Sequence, residues 1–335
     1  MIIVTAADDK YVPGVIALIY STWLQNEVSE FHVLDNGISK KNKAKLRALA
    51  KRIGQEISLI DVSGSAIATL GLPDDRLTVS AFARLLIPEL FKHHERVMYL
   101  DCDMLVLGDL RSAYETDFAG MLAAAVPDYG PGAEELKDLG IPLEEYFNSG
   151  LLVFNIPAWR AAKISETCFE RASAKVFLYH DQSVLNAVCH NRVAFLPEDY
   201  NIFVDVPHEI RREERVKDIR VLHFVGRNKP WLVAQTDPKD PATIYGELWN
   251  EHARGLGDII SLPEPQATLA APSLTKRLSI AIRTLNRRRR MWMGKMVGKE
   301  KYILRARADD FVQNFLPHIQ SGAMEKLQRA QRQKI

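Results

Sequence analysis

Three features that would indicate an exported or membrane-spanning protein are missing from this 335-residue sequence. Cysteine is scarce: Cys102, Cys168 and Cys189 are odd in number, lie far apart and form no C-x-x-C pattern. We therefore expect a reducing compartment and no thiolate zinc site. No apolar run approaches the ~20 residues of a membrane span, and Asp8 and Asp9 come too early for a secretory signal. We expect neither a transmembrane segment nor a cleaved signal.

The sequence also lacks both glycine-rich loops that commonly bind phosphate groups. Neither G-x-G-x-x-G nor G-x-x-x-x-G-K-[ST] occurs, which disfavours a dinucleotide-binding or P-loop protein. Strand and helix patterns nevertheless alternate four times between residues 2 and 100. This alternation predicts an α/β fold with a Rossmann-like, mostly parallel central sheet and helices on both faces. Helical spacing also predicts single helices over residues 80–91 and 157–174.

Two carboxylates follow the fourth predicted strand. Asp101 and Asp103 stand two residues apart after the apolar run 97–100, and residues 105–107 are apolar again. Paired acids in an apolar setting repel each other unless a cation lies between them, and their oxygens suit Mg²⁺ or Mn²⁺. A simple N-cap or turn pair is the alternative. Because ligands bind at the carboxyl ends of parallel strands, we expect Asp8, after the first strand, to face the same crevice.

Polar residues also interrupt apolar segments in the second half of the chain. Residues 146–155, YFNSGLLVFN, bring polar groups into a predicted strand, although a plain turn is the alternative. Residues 180–182, HDQ, open a predicted helix, for which Asp181 is a candidate N-cap. Residues 221–231, VLHFVGRNKPW, place His223 in an apolar strand, with Gly226 and Lys229 close behind. This pattern fits a metal and phosphate site, and a buried core histidine is the alternative.

Together these motifs resemble glycosyltransferase family 8. The resemblance covers residues 1–254 and is carried by ADD at 7–9, YLDCD at 99–103, FNSG at 147–150, HDQ at 180–182 and LHFVGRNKPW at 222–231. Their order and spacing are similar to those of bacterial lipooligosaccharide and lipopolysaccharide galactosyl- and glucosyltransferases. The resemblance implies a GT-A fold and a retaining, metal-dependent transfer of galactose or glucose from a UDP-sugar. The implied acceptor is a saccharide, either lipopolysaccharide core or another lipid-linked oligosaccharide.

The resemblance also implies roles for individual residues. The metal, Mn²⁺ or Mg²⁺, would be bound by Asp101, Asp103 and His223. The metal and the UDP-sugar together would contact a larger set: Ala6, Asp8, Arg84, Asp101, Cys102, Asp103, Asn148, Ser149, Asp181, Gln182, His223, Gly226 and Lys229. The catalytic groups would be Gln182, Asp181, Asp128 toward the acceptor, and Lys229 on the diphosphate. Two departures stand out: Lys10 follows ADD where close relatives carry an amide, and Ser183 follows DQ where some carry an acid.

The retaining chemistry leaves the mechanism open. Retention normally calls for a nucleophile on the face opposite the leaving group. Gln182 occupies that place by resemblance, and an amide is a poor nucleophile, so a same-face mechanism is our hypothesis. Other functions stay in view: a metal-dependent nucleotidyl- or phosphotransferase, a family member with a non-lipid acceptor, or a non-catalytic protein that binds membranes or nucleic acid.

The last third of the chain differs in composition. Residues 261–272 have the proline-rich character of a linker between a catalytic domain, 1–260, and a C-terminal tail, 273–335. Residues 273–308 contain twelve Lys and Arg against one acid, a local charge of +11 that leaves −9 for the rest of a chain whose net charge is +2.

Apolar residues at helical spacing in the tail, with Trp292 as an aromatic anchor, predict a basic amphipathic helix that binds an anionic membrane surface. We therefore expect a cytoplasmic protein, peripheral on the inner face of the cytoplasmic membrane. We expect no nucleic-acid partner, because the acidic remainder of the chain predicts no second basic surface.

Overall fold

The computed structural model describes residues 1–65, 80–204, 219–226, 229–232, 241–257, 259–260 and 326. The predicted linker and tail lie, apart from Lys326, outside these residues. The strands are β1 (Ile2–Ala7), β2 (Glu30–Asp35), β3 (Ile57–Asp61), β4 (Arg96–Leu100), β5 (Met104–Val106), β6 (Ala123–Pro127), β7 (Phe147–Asn155), β8 (Val193–Phe195), β9 (Ile202–Phe203) and β10 (Val221–His223). The helices are α1 (Val12–Gln25), α2 (Lys40–Ile53), α3 (Ile87–Leu90), α4 (Arg111–Tyr114), α5 (Ala133–Leu139), α6 (Ile156–Ala161), α7 (Ile164–Ala174), α8 (His180–Cys189) and α9 (Pro241–Leu256).

A seven-stranded sheet in the order β3-β2-β1-β4-β7-β6-β8 organises the described part of the chain. Strand β1 is parallel to β2 and β4, β2 is parallel to β3, and β6 is parallel to β8. Strand β7 is antiparallel to both of its neighbours, β4 and β6. A smaller sheet, β5-β10-β9, begins just after β4. The prediction of an α/β fold with a mostly parallel sheet is confirmed.

Alternate residues of the central strands pack on opposite faces of the sheet. In β4, Met98 and Leu100 belong to one apolar cluster, whereas Val97 and Tyr99 belong to another. Helices α1, α2 and α9 complete the first cluster, and α6, α7 and α8 complete the second. A strand that is apolar throughout must be covered on both sides, because its side chains alternate with a period of two. The predicted covering of both faces is confirmed.

Two predicted helices are irregular, so the predictions of continuous helices there are wrong. Residues 80–91 contain a 3-10 turn, Ala83–Leu86, before the short α3. Residues 157–174 divide between α6 and α7, because Lys163 between them has a φ of 51°, in the left-handed region. The candidate N-cap role of Asp181 is also wrong, since α8 begins at His180 and no side chain caps it.

Helix α2 carries a second basic surface, so the expectation that none would exist outside the tail is wrong. Its sequence, KKNKAKLRALAKRI, contains seven Lys and Arg and no acid. The apolar stripe of Leu46, Leu49 and Ile53 is buried, and the outer face exposes Lys40, Lys41, Arg47, Lys51 and Arg52. The acidic total of residues outside the tail conceals this local charge. Among the described residues, no helix combines the length and the apolar composition that crossing a bilayer requires.

Candidate active site

The carboxyl ends of β1 and β4 open into one cleft of about 930 Å³. Its walls contain all the residues that the resemblance singled out: Ala6, Asp8, Arg84, Asp101, Cys102, Asp103, Asp128, Asn148, Ser149, Asp181, Gln182, His223, Gly226 and Lys229. They come from segments that span more than half of the chain. The structure therefore brings the predicted site residues together.

Three side chains in the cleft form a candidate metal-binding group. Nε2 of His223 lies 3.1 Å from Oδ1 of Asp103 and 3.7 Å from Oδ2 of Asp101. One potential ligand atom from each residue lies within 4.8 Å of the others. Two carboxylates and an imidazole are a donor set that Mn²⁺ and Mg²⁺ accept. The three residues thus fit a divalent cation in both chemistry and spacing.

Two buried cations accompany these acids. Arg84, 3% exposed, donates from Nη2 to Oδ1 of Asp101 at 2.8 Å, and its Nε lies 3.2 Å from Oδ2 of Asp181. The Lys229 ammonium donates to Oδ2 of Asp103 and to the carbonyl oxygen of Phe224. Each acid of the pair therefore has a cationic partner from a different part of the chain.

The surroundings move the pKa values of two carboxyl groups in opposite directions. Burial favours the neutral form of Asp103, but His223 and Lys229 outweigh it and hold the pKa of this carboxyl well below its ordinary value. Burial raises the pKa of Asp181, and Arg84 opposes this only in part. Burial also raises the pKa of the Cys102 thiol well above its ordinary value. Asp103 is thus suited to bind a cation, whereas Cys102 lines the cleft as a neutral group.

Amide groups form a second wall of the cleft. Oε1 of Gln182 accepts from Nδ2 of Asn148 at 2.7 Å and from the backbone N–H of Ser149 at 3.2 Å. Nε2 of Gln182 donates to Oδ2 of Asp128 at 3.0 Å. The Ser149 hydroxyl donates to Oδ2 of Asp181 at 3.0 Å. Both lone pairs of the Gln182 carbonyl oxygen are therefore engaged by N–H donors.

The structure also reveals residues that sequence reasoning missed. The Tyr99 hydroxyl donates to Oδ1 of Asp101 at 2.7 Å, and the buried Asn201 lies with Oδ1 2.9 Å from Nδ1 of His223. Glu135, 1% exposed, accepts from the Ser183 hydroxyl at 2.5 Å. A signal for Asn201 was available, because it is a polar residue inside the otherwise apolar segment 200–204, as His223 is within its own strand.

Comparison with known proteins identifies the class to which this cleft belongs. Residues 2–234 match the model of Glycosyl transferase family 8, and the chain belongs to that family. It is 28% identical over 251 residues to General stress protein A of Bacillus subtilis, covering 69% of this chain and 87% of that protein. It is 30% identical over 149 residues to Lipopolysaccharide 1,2-glucosyltransferase of Escherichia coli, where the match covers 41% of this chain and 44% of that protein.

A solved structure supports the same assignment. The galactosyltransferase LgtC, crystallised in complex with donor and acceptor sugar analogs, is 28% identical with a TM-score of 0.64. The match covers 79% of this chain and 98% of LgtC. The GT-A fold that the resemblance implied is therefore the fold of this protein.

Gly150 allows the candidate metal ligands to approach one another. A Cβ at this position would lie 2.6 Å from Cε1 of His223 and 2.8 Å from both Oδ1 of Asn148 and Oδ2 of Asp101. We expect Gly150→Ala to displace these groups and to weaken Mn²⁺ binding about 10- to 100-fold. Electron paramagnetic resonance of free Mn²⁺ in a titration measures the affinity.

Gly64→Ala is the matched control, because a Cβ there meets no atom within 4 Å. This variant should bind Mn²⁺ as the wild-type protein does. If Gly150→Ala kept both the wild-type fold and the wild-type affinity, the close packing around Gly150 would have no part in metal binding.

Proposed function

We propose that this protein is a retaining, metal-dependent hexosyltransferase that moves galactose or glucose from a UDP-sugar to a saccharide acceptor. The acceptor is lipopolysaccharide core or another lipid-linked oligosaccharide. The observation that carries the proposal is the convergence of Asp101, Asp103, His223 and Lys229 in one cleft. The names of the Escherichia coli glucosyltransferase and of the galactosyltransferase LgtC support hexose transfer.

The proposed roles follow from where charge develops. A divalent ion bound by Asp101, Asp103 and His223 would neutralise the negative charge that grows on UDP as the sugar–phosphate bond breaks. The Lys229 ammonium, with the backbone at Gly226, holds the diphosphate and stabilises the same charge. Gly226 has a φ of 82°, which favours glycine and lets the chain turn here close to a ligand.

The remaining residues bind the uridine and the sugar. Ala6 and Asp8, at the end of β1, contact the uridine. Arg84 acts by holding Asp101 and Asp181 in place, as its hydrogen bonds indicate. The donor sugar is surrounded by Cys102, Asn148, Ser149, Asp181 and Gln182, with Asp128 toward the acceptor.

The hydrogen bonds of Gln182 support a same-face mechanism. A nucleophile must direct a lone pair at the anomeric carbon, and both lone pairs of the Gln182 carbonyl oxygen already accept hydrogen bonds. Arg84 and Ser149 both contact Oδ2 of Asp181, which orients this carboxylate. In the same-face mechanism no protein nucleophile is needed, because the leaving phosphate oxygen takes the proton of the attacking acceptor hydroxyl. The acceptor oxygen then bonds to the anomeric carbon on the face that UDP leaves.

The function is tested by incubating the protein with UDP-glucose and UDP-galactose in turn and measuring UDP release. We expect UDP release with one of the two donors in Mn²⁺, and we expect this release to stop when the metal is chelated.

Asp103→Asn removes a charged ligand and should lower turnover at least about 100-fold, since metal stabilisation of the leaving group is worth several kcal/mol. A thermal-shift panel of UDP, ADP and GDP with Mn²⁺ should show preferential stabilisation by UDP.

Asp109→Asn is the matched control, because the Asp109 carboxylate lies at the surface, where it accepts from the backbone N–H of Arg111. It should keep wild-type turnover. Preferential stabilisation by ADP or GDP, with no UDP release, would replace this proposal by a nucleotidyl- or phosphotransferase.

Lys229→Met tests the proposed role of the ammonium on the diphosphate. Negative charge on the leaving group grows toward the transition state, so kcat should fall about 100-fold while KM for the donor changes less. Steady-state kinetics with varied donor separate the two constants. Lys92→Met is the control, because Lys92 is exposed and pairs with the exposed Glu89 outside the cleft. A wild-type kcat in Lys229→Met would exclude the role.

We further propose that a catalytic domain over 1–260 is joined by a linker, 261–272, to a tail over 273–335 that binds the anionic inner face of the cytoplasmic membrane. The local charge of +11 over 273–308 motivates this proposal. Each Lys or Arg near an anionic surface contributes about 1 kcal/mol. Glutamine at Arg287, Arg288, Arg289 and Arg290 should therefore weaken co-sedimentation with anionic vesicles at least about 100-fold at low salt.

The matched control removes four charges from helix α2, by glutamine at Lys40, Lys41, Arg47 and Lys51, which are exposed. Co-sedimentation of this variant should equal that of the wild-type protein, and high salt should release both. Loss of binding in the α2 variant alone would move the membrane surface from the tail to α2.

A further inference from the structure

The side chain of Asn201 connects His223 to the amide wall of the cleft. Asn201 is 0% exposed; its Oδ1 lies 2.9 Å from Nδ1 of His223, and its Nδ2 donates to Oδ1 of Asn148 at 2.7 Å. Asn201 directly precedes β9, which pairs with β10 so that Phe203 lies opposite His223. The position of Asn201 is thus fixed by the sheet that carries the histidine.

This chain of hydrogen bonds has only one possible direction, because its far end is a carboxylate. Asp128 accepts from Gln182, so the NH₂ group of Gln182 faces Asp128 and its carbonyl oxygen faces the NH₂ group of Asn148. Two backbone donors require the same orientations independently. Ser149 N–H donates to Oε1 of Gln182 at 3.2 Å, and Gly150 N–H donates to Oδ1 of Asn148 at 2.9 Å.

The orientation of Asn148 determines the orientation of Asn201, and Asn201 in turn determines where His223 carries its hydrogen. The carbonyl oxygen of Asn148 accepts from the NH₂ group of Asn201, so Asn201 must present its own carbonyl oxygen to His223. Nδ1 of His223 therefore carries a hydrogen and donates it. With that hydrogen on Nδ1, the lone pair available for a metal is on Nε2, the atom that faces Asp101 and Asp103.

The imidazole ring has little freedom to turn away from this arrangement. Phe203 packs edge-on against it, with ring centroids 5.4 Å apart and an interplanar angle of 86°. On another side Gly150 leaves no room for even a Cβ beside Cε1 of His223. Packing thus sets the ring plane, whereas the position of the ring hydrogen depends on the partner of Nδ1.

We propose that Asn201 is a positioning residue, which fixes His223 as the Nδ1–H tautomer and so makes Nε2 a ligand for the divalent ion. The proposal rests on the metal site of the proposed function. Without Asn201 the three ligands would still be present, but nothing would keep the hydrogen of His223 away from Nε2, the atom that must bind the metal. Groups that orient a ligating histidine commonly change metal affinity 10- to 100-fold when they are replaced.

The test compares Asn201→Leu with Asn201→Asp in the full-length protein, without nucleotide. Asn201→Leu removes the acceptor for Nδ1–H and should weaken Mn²⁺ binding, followed by electron paramagnetic resonance, about 10- to 100-fold. Asn201→Asp restores an acceptor and should recover most of the affinity. In Mg²⁺-loaded protein labelled with ¹⁵N-histidine, we expect the His223 signals to show a hydrogen on Nδ1 in the wild type and in Asn201→Asp. His223→Gln identifies these signals.

Asn26→Leu is the control for simple loss of a buried amide, because the Asn26 side chain hydrogen-bonds backbone groups of Thr22, Gly108 and Leu110 and does not line the cleft. It should lower thermal stability and leave Mn²⁺ affinity unchanged. Equal affinity in Asn201→Leu and the wild type, or a wild-type His223 with its hydrogen on Nε2, would overturn the role of Asn201 alone. Absence of Mn²⁺ binding by the wild-type protein would overturn the metal site itself, and this inference with it.

Discussion

The organisation of the cleft depends on compensating the charge of three acids, Asp101, Asp103 and Asp181, that are largely removed from water. Breaking up a buried ion pair typically costs about 3–5 kcal/mol, because a charge is left without a partner. Arg84 forms ion pairs with both Asp101 and Asp181. Burial lowers the pKa of Arg84, but these two acids outweigh burial and hold its pKa above the ordinary value. Lys229 forms an ion pair with the third acid, Asp103. Each acid therefore has a cationic partner in the cleft, and the pKa of Asp103 is held well below its ordinary value.

The fold supplies these cationic partners by pairing segments that are distant in sequence. Strand β5 follows the acid pair directly and is antiparallel to β10, with Met104 opposite His223. The backbone N–H of Phe224 donates to the carbonyl oxygen of Asp103 at 2.9 Å, and the carbonyl oxygen of Phe224 accepts from the Lys229 ammonium. The small sheet thus places His223 and Lys229 beside Asp103, although both lie more than a hundred residues beyond it.

The predictions of the metal ligands rest on local features of the sequence, namely polar residues at the end of, or inside, apolar strands. Asp101 and Asp103 stood out because paired acids rarely end an apolar strand, and His223 because it interrupts one. The alternation of strands and helices is equally local, and it gave the parallel part of the sheet. The antiparallel pairing of β7 could not be predicted, because the alternation of strands and helices does not specify which strands β7 pairs with.

Long-range contacts explain what the sequence could not show. Asn201 acquires its role only through the pairing of β9 with β10, and Glu135 acquires its partners only where α5 meets α8. The break at Lys163 depends on one residue adopting the left-handed region, which lysine seldom does. The basic face of α2 is visible in the sequence of residues 40–53, but the net charge of all residues outside the tail conceals it.

Ser183, which directly follows Gln182, hydrogen-bonds a buried carboxylate that another helix supplies behind the amide wall. The Ser183 hydroxyl donates to Oε1 of Glu135 at 2.5 Å, and the Tyr146 hydroxyl donates to the same oxygen at 3.3 Å. Nε2 of Gln182 in turn lies 3.4 Å from the Tyr146 hydroxyl oxygen. Burial raises the pKa of Tyr146 well above its ordinary value, so this hydroxyl stays neutral and can link the two.

Glu135 is 1% exposed and is linked to Gln182 through the Tyr146 hydroxyl. A carboxylate in that place orients the amide of Gln182, and it does not itself line the cleft. The carboxylate beside Ser183 is therefore in a position to orient Gln182. This arrangement supports the mechanism in which the acceptor enters on the face that UDP leaves.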